Sequence, residues 1–291
     1  MKKICLFLAS IILLVNGLDA QINIPKFSEP GSISQTIGFT NIKIEYERPM
    51  QKGRKIFGGL VPYDQVWRTG AGPCTKIYFD KPVSINKTTV APGAYALFTI
   101  PGISEWTIIL NTDTSLYGAY RYNSEKDVVR LKVKPRKTVR SYEALNIDVD
   151  IVNNDAEIFI SWEQTQVNFQ LKTTTQAIFM QEVQNALKND RNLEADKYAN
   201  AADYIIHNRL GFGKHVLDTA MMLIDRSFEI EEDSYFYRIK RDILMLKRDY
   251  DSYLTVSEAH IAYLQKAKPY NDYEKEIERI QRKNQKLRDN H

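Results

Sequence analysis

The residues best suited to binding a ligand lie in one stretch of the sequence, residues 46–73. Arginine carries a planar guanidinium group that suits carboxylates and phosphates, and tyrosine and tryptophan offer flat faces for sugar rings or cations. Glycines in the stretch let the backbone approach a ligand closely. We predict a pocket for a small anionic or carbohydrate ligand, and its predicted binding residues are Arg48, Arg54, Tyr63, Trp67 and Arg68.

The same stretch also fits an ordered loop that binds nothing. In this second interpretation its arginines pair with nearby carboxylates or backbone carbonyls. Its large apolar side chains fill the protein core: Phe57, Leu60, Val61 and Trp67. The sequence alone leaves both interpretations open.

Catalytic and metal-binding groups are scarce. All four histidines follow residue 172, so a nucleophile in the first part of the chain has no histidine base. His207, His215 and His260 lack a partner at i, i+4 spacing, which argues against a zinc site and indicates exposed or partly packed helix residues. The glycines match neither a phosphate-binding loop nor a dinucleotide fold. We predict no catalytic residue, no metal and no cofactor.

A pair of carboxylates is the remaining catalytic option, because a glycosidase needs only two acids at a set separation. The alternative function is therefore a carboxylate-dependent, carbohydrate-active hydrolase with two acids in a groove near Trp67 or Trp106. Asp148 and Asp150 share one side of a predicted strand. We expect them to form a solvated charge ladder with basic residues of a neighbouring strand: Arg130, Lys132 and Lys134.

Residues 30–172 have the pattern of a β domain. Apolar and polar residues alternate, as where Ile42 and Ile44 flank Lys43. Pro92-Gly93 and Pro101-Gly102 separate two further apolar runs, which suggests a hairpin. About eight to ten short strands of this kind predict an antiparallel β-sandwich or a partly closed barrel.

Residues 175–289 change to helical spacing, with apolar residues three or four positions apart. We predict an α-helical hairpin domain of six helices, similar to tetratricopeptide repeats, with Gly211 starting one helix and Asn271 capping another. Stacked hairpins offer a surface to a protein partner. Seven tyrosines indicate either such an interface or helix packing: Tyr198, Tyr204, Tyr235, Tyr237, Tyr250, Tyr253 and Tyr263.

Residues 1–20 have the pattern of a signal peptide. Lys2 and Lys3 precede an apolar run that is too short for a membrane-spanning helix. We predict export to the periplasm or the extracellular space, with no transmembrane segment after cleavage. Cys74 is then the remaining cysteine, which we interpret as a small buried apolar residue. The formal net charge of +4 lacks the basic excess typical of nucleic-acid binding.

A resemblance to the bacterial family known as domain of unknown function 2911 rests on three segments: ERPMQKGRKIFGGLVPYDQVWRTGA, APGAYALFTIPG and EWTIILN. The resemblance covers residues 34–171. It implies an exported, β-rich domain, often followed by helices, with no assigned activity. The chain has Tyr117-Gly118 where members often carry Trp-Gly.

Together these patterns predict an extracytoplasmic, non-enzymatic binding or scaffolding protein. In this prediction the β domain holds a small-molecule or glycan ligand, and the helices contact a protein partner. The basis is a loop with binding chemistry but no catalytic set, followed by helices that resemble repeats.

Overall fold

The structure, a computed structural model, describes residues 24–188, 193–208, 215–267 and 273–290. These residues form ten β-strands followed by six α-helices. The strands are β1 (Glu29–Ile37), β2 (Thr40–Arg48), β3 (Thr75–Phe79), β4 (Val83–Ile85), β5 (Thr88–Val90), β6 (Gly93–Ile100), β7 (Trp106–Asn111), β8 (Asp127–Val133), β9 (Arg136–Val152) and β10 (Asp155–Thr173). The helices are α1 (Thr175–Lys188), α2 (Ala195–His207), α3 (Val216–Ile230), α4 (Ser234–Lys247), α5 (Tyr250–Lys266) and α6 (Tyr273–Asn290).

The strands form two antiparallel sheets that share a core. One sheet has the order β1-β2-β3-β6-β7-β8, and the other has the order β5-β4-β10-β9. In β2, Ile42 and Ile44 are buried while Lys43 is exposed, as the alternation predicts. Ile44 of the first sheet and Ile158 of the second belong to one apolar cluster. The predicted sandwich is therefore confirmed, and the sheets do not close into the alternative barrel.

The β6–β7 and β9–β10 hairpins differ in how well the sequence predicts them. β6 and β7 pair antiparallel on either side of Pro101-Gly102, which confirms the predicted hairpin. β9 and β10 are 17 and 19 residues long, well beyond the short strands that we expect from the sequence. Register shifts around Glu163 interrupt this pair.

The expected charge ladder is wrong because β8 and β9 belong to different sheets. Asp148 and Asp150 lie opposite residues of β10, not opposite the basic residues of β8. Arg130 of β8 instead pairs with Asp127, with 2.7 Å between Nη1 and Oδ2. The two aspartates are exposed on the outer face of the second sheet.

The helices confirm the predicted number in the described residues. From α2 onwards each helix packs against the next, which is only loosely consistent with tetratricopeptide-like hairpins. Tyr198, Tyr237 and Tyr253 are buried, and the other four tyrosines of the predicted set are half-buried. These side chains therefore serve helix packing.

The histidines do not all follow the prediction. His207 and His215 are exposed, as expected for residues on helix surfaces. His260 is instead fully buried, because it lies on the face of α5 that packs inward with Tyr253 and Leu264.

Thr175, the first residue of α1, connects the start of the helices to the turn between β1 and β2. Thr175 Oγ1 accepts a hydrogen bond from Phe39 N at 3.0 Å and donates to Ile37 O at 3.3 Å. Between them Gly38 has φ +56, and a Cβ on it would lie 2.3 Å from Thr175 Oγ1, so the turn requires glycine. The division into domains of residues 30–172 and 175–289 stays a prediction.

Some predicted features lie outside the described residues. They are the signal peptide of residues 1–20, Gly211 and Asn271. Export therefore stays a prediction as well. Within the described ranges, no helix combines the length and the apolar character needed to cross a bilayer.

Candidate functional site

Residues 49–74, between β2 and β3, form a loop that is anchored to both sheets. Gln51 N donates to Glu143 O of β9 at 2.6 Å. Trp67 and Thr99 of β6 exchange two backbone hydrogen bonds, of 2.7 and 2.9 Å. Because both ends of the loop are tied to regular strands, this glycine-rich segment has a defined conformation.

Part of the loop fills the core, as the second interpretation of the sequence states. Phe57, Val61 and Trp67 are buried, whereas Leu60 is 46% exposed. The Trp67 ring stacks on Trp162 at a centroid distance of 5.9 Å, and its Nε1 donates to a carbonyl of the loop at 3.1 Å. Trp67 therefore offers a ligand only a small part of its ring.

A cavity of about 490 Å³ opens beside this loop. Its wall contains Arg54, Trp67 and Arg68, three of the five predicted binding residues, and also Lys52. None of its lining residues is a carboxylate. The rest of the wall is mainly apolar and includes Phe27, Met50, Leu60, Val61, Pro62 and Trp162. Uncompensated cations beside apolar surface suit an anion that has an apolar part.

Arg68 carries a donor that the described residues do not satisfy. Its Nε is buried without a hydrogen-bond partner among them. Leaving a buried donor unpaired costs about 1–3 kcal/mol, and more for a charged group. Arg68 Nε is therefore an unsatisfied buried donor of a residue that lines the cavity.

The backbone next to Arg68 is strained. Thr69 has φ +56, which is rare for a β-branched residue. Its Oγ1 lies 3.1 Å from Thr99 Oγ1, and its carbonyl accepts from Thr75 Oγ1 at 2.8 Å. Strained residues persist only where their surroundings impose the conformation, and they cluster at ligand sites. The strained residue thus directly follows Arg68, which lines the cavity.

Arg54 is held at the cavity by backbone carbonyls. Its Nε donates to Gln51 O at 3.0 Å, and its Nη2 donates to Met50 O at 2.6 Å. Neutral carbonyls orient the guanidinium without cancelling its charge. Arg54 therefore adds positive potential at a fixed position in the wall.

The structure does not bring Arg48 to this cavity. Its Nε donates to Leu145 O at 3.0 Å, and its Nη2 donates to Asn146 Oδ1 at 3.3 Å. Both acceptors belong to β9 in the other sheet. Arg48 thus fastens the end of β2 across the sandwich.

Replacing Arg48 with methionine is expected to lower the free energy of unfolding by about 1–3 kcal/mol, because two inter-sheet hydrogen bonds of a charged donor are lost. Urea denaturation followed by tryptophan fluorescence measures this, since all three tryptophans precede residue 172. Lys55→Met is the control, because Lys55 is an exposed residue of the adjoining loop. Equal stability of the two variants would contradict the role given to Arg48.

Tyr63 lies away from the cavity as well. It lines a separate depression of about 560 Å³ together with Phe57, Trp106 and Glu163. Glu163 has φ +55 and accepts from Gln51 Nε2 at 3.0 Å. It is the single carboxylate in the lining of this depression. The hydrolase alternative requires two acids in a groove near Trp67 or Trp106. The cavity beside Trp67 is lined by no carboxylate, and the depression beside Trp106 is lined by one.

Lys52 and Phe27 line the cavity but are not among the five predicted binding residues. Lys52 belongs to the same basic stretch, so residue type alone could have included it. Phe27 precedes β1, and nothing in its sequence context indicates the cavity. In the structure Lys52 Nζ lies 5.9 Å from the Phe27 ring centroid, so the two residues lie together at the edge of the cavity.

The described residues show no group of three metal-ligating side chains. Cys74 is buried, and desolvation raises the pKa of its thiol. A protonated, buried thiol is unreactive, which agrees with its interpretation as a small apolar residue.

Comparison with known proteins identifies a family but no function. The model of the family described as "Protein of unknown function (DUF2911)" matches residues 28–171. This range covers the sandwich except the last two residues of β10, and the whole cavity wall except Phe27. No curated protein and no solved structure matches the chain.

Proposed function

The chain belongs to the DUF2911 family, whose function is unknown, and we propose that it is a non-enzymatic, extracytoplasmic binding protein. Its ligand is a small molecule with an anionic group and an apolar or ring-shaped part, such as a sugar acid. The site is the cavity lined by Lys52, Arg54 and Arg68.

The observation that carries this proposal is the unpartnered Nε of Arg68 in a wall that contains no carboxylate. If the loop served only to fill the core, we would expect this donor to be paired, because an unpaired buried donor is unfavourable. A ligand carboxylate accepts from the terminal nitrogens of the guanidinium, which are not among the sealed, unpaired atoms of the described residues. Apolar residues such as Met50 and Leu60 then cover the rest of the ligand.

The first test is calorimetric titration of the full chain with glucuronate and with glucose at low ionic strength. These probes share a ring, and only glucuronate carries a charge. We expect heat of binding with glucuronate alone, weakened by salt because the contacts are electrostatic. If glucuronate, other sugar acids, small aromatic carboxylates and phosphate all fail to bind, the proposal is wrong.

Arg68→Gln is expected to weaken binding of such an anion about 10- to 100-fold, because the charged donor of the ligand carboxylate is lost. The unfolding temperature of the unliganded variant should not fall, since Arg68 Nε is unsatisfied in the described structure. Lys55→Gln is the matched control, because it removes one charge from the same loop outside the cavity.

The two readouts separate the two interpretations of the loop. Lost binding with unchanged stability assigns Arg68 to the ligand. Lost stability in Arg68→Gln, with binding of the anion retained, would instead make Arg68 a scaffold residue.

A further inference from the structure

The depression of about 560 Å³ beside Glu163 opens at one end of the β-sandwich. Trp106 pairs with Val133, so the β6–β7 and β8–β9 turns lie side by side at this end. Both turns line the depression, together with residues 163–165 of β10 and parts of the loop of residues 49–74. Its volume is typical of small-molecule sites, and loops at the ends of a sandwich often carry binding residues.

The lining of this depression carries charges of both signs. Arg136 and Lys137 are its cations, and Glu163 is its single carboxylate. The ion pairs of the described sandwich all involve other residues. Arg136 Nε instead donates to Gln166 Oε1 at 2.8 Å, and Glu163 Oε1 accepts from Gln51 Nε2 at 3.0 Å. Neutral partners therefore orient both charges without cancelling either of them.

Glu163 departs from regular strand geometry. It has φ +55, and the register between β9 and β10 shifts on both sides of it. Bulges and strained residues are frequent next to ligand sites, because regular pairing is otherwise the more stable arrangement. A strained acidic residue that lines an open depression is therefore a candidate for direct contact with a ligand.

The lining disfavours several classes of ligand. A simple anion is repelled by Glu163, and a simple cation is repelled by the two basic residues. A neutral sugar requires an exposed ring face, but Trp106 and Phe57 are buried. The Tyr63 ring packs closely on Gly58, where a Cβ would lie 2.4 Å from Tyr63 Cε2. A molecule that carries both charges matches the lining better than any of these.

We propose that this depression binds the zwitterion of a free α-amino acid with an apolar side chain, such as leucine. The ligand carboxylate accepts from Arg136 and Lys137, and its ammonium group donates to Glu163. The apolar side chain lies against Ile103, which is 81% exposed in the β6–β7 turn. This site does not depend on the function proposed for the cavity beside Arg68, because the two linings share no residue.

The test is calorimetric titration of the full chain with leucine, N-acetyl-leucine, leucinamide and N-acetyl-leucinamide at neutral pH. The three derivatives lack the ammonium group, the carboxylate, or both. The titrations contain excess glucuronate, so that the cavity beside Arg68 does not contribute. We expect leucine to bind at least about 10-fold more tightly than each derivative, because each derivative loses a charge-assisted contact. If leucine does not bind, or if N-acetyl-leucine or leucinamide binds equally well, the proposal is overturned.

Variants of the charged residues locate the site. Glu163→Gln should weaken leucine binding about 10-fold and leave the affinity for N-acetyl-leucine unchanged, since that derivative has no ammonium group. Lys137→Gln should weaken leucine binding without affecting leucinamide. Asp150→Asn is the control, because it removes an exposed carboxylate of the same sheet outside the depression. Unchanged leucine affinity in Glu163→Gln contradicts the proposal. If that variant does not fold, the four titrations of the natural chain still decide.

Discussion

Replacing Trp162 with alanine is expected to destabilise the β-sandwich by about 3–5 kcal/mol. Trp162 is 1% exposed, stacks on Trp67 and lies edge-on to Phe57 at 6.4 Å between centroids. Its Nε1 also donates to Glu143 O at 3.3 Å. The change therefore removes a large apolar surface, opens a void and leaves the Glu143 carbonyl with one hydrogen bond fewer. Urea denaturation followed by the fluorescence of Trp67 and Trp106 measures the loss.

The control is Phe159→Ala in the same strand. Phe159 is half-buried and lies under the Arg136 guanidinium at 5.5 Å, outside the shared core. Phe159→Ala should lose less than half as much stability as Trp162→Ala, because the space it leaves is open to water. Similar losses in the two variants would show that Trp162 is not the centre of the aromatic packing.

The Trp162 change also tests whether the cavity depends on the core beneath it. Trp162 forms part of the cavity wall while its ring supports Trp67, which sits one residue before Arg68. Trp162→Phe keeps an aromatic ring and should retain most of the stability. We expect weaker anion binding in this variant, because a shift of Trp67 displaces the guanidinium of Arg68.

Local patterns predict the strands and helices well, and they fail on sheet membership. The alternation around Ile44 and the Pro101-Gly102 break between β6 and β7 are local signals, and both predictions are confirmed. Alternation shows which side chains share a face but not which strand lies alongside. Asp148 was therefore assigned to the wrong neighbour, since β9 pairs with β10 in the second sheet.

The same limit explains why the sequence predicts only part of the candidate site. Residue type and turn content select the loop that lines the cavity, including Arg54 and Arg68. They cannot separate Arg68 from Arg48, because the direction of each side chain is set by long-range pairing. Arg48 ends β2 beside Leu145 of the opposite sheet, whereas Arg68, next to the strained Thr69, lies in the cavity wall.

His260 shows a signal that was present but not used. Tyr253, Ser257, His260 and Leu264 follow one another at intervals of three or four residues, which is the spacing of one helix face. Two apolar members of this stripe indicate that the face packs inward. A polar residue on such a stripe is then predicted to be buried, and its unusual surroundings become a sign of a special role.

Acidification from pH 6.5 to about pH 5 is expected to destabilise the helical part by about 2 kcal/mol through His260 alone. Desolvation, and then the charge of Arg241, lowers the pKa of His260 from 6.5 to about 4. The unfolded chain therefore takes up a proton at a higher pH than the folded chain does. The stabilisation is complete above pH 6.5 and is lost as the pH falls towards 4, where the loss reaches about 3 kcal/mol. Far-UV circular dichroism during urea denaturation at each pH measures it.

His260→Leu should remove this slope, and His207→Leu should keep it, because His207 is exposed on α2. The carboxylate of Asp113 contributes to the pH dependence of stability in a lower range of pH. The hydrogen bond from Lys126 holds the pKa of Asp113 at about 2, so its contribution is lost only below the ordinary value of 3.8. A natural chain whose stability stays flat from pH 6.5 to 5 would show that His260 is protonated without cost.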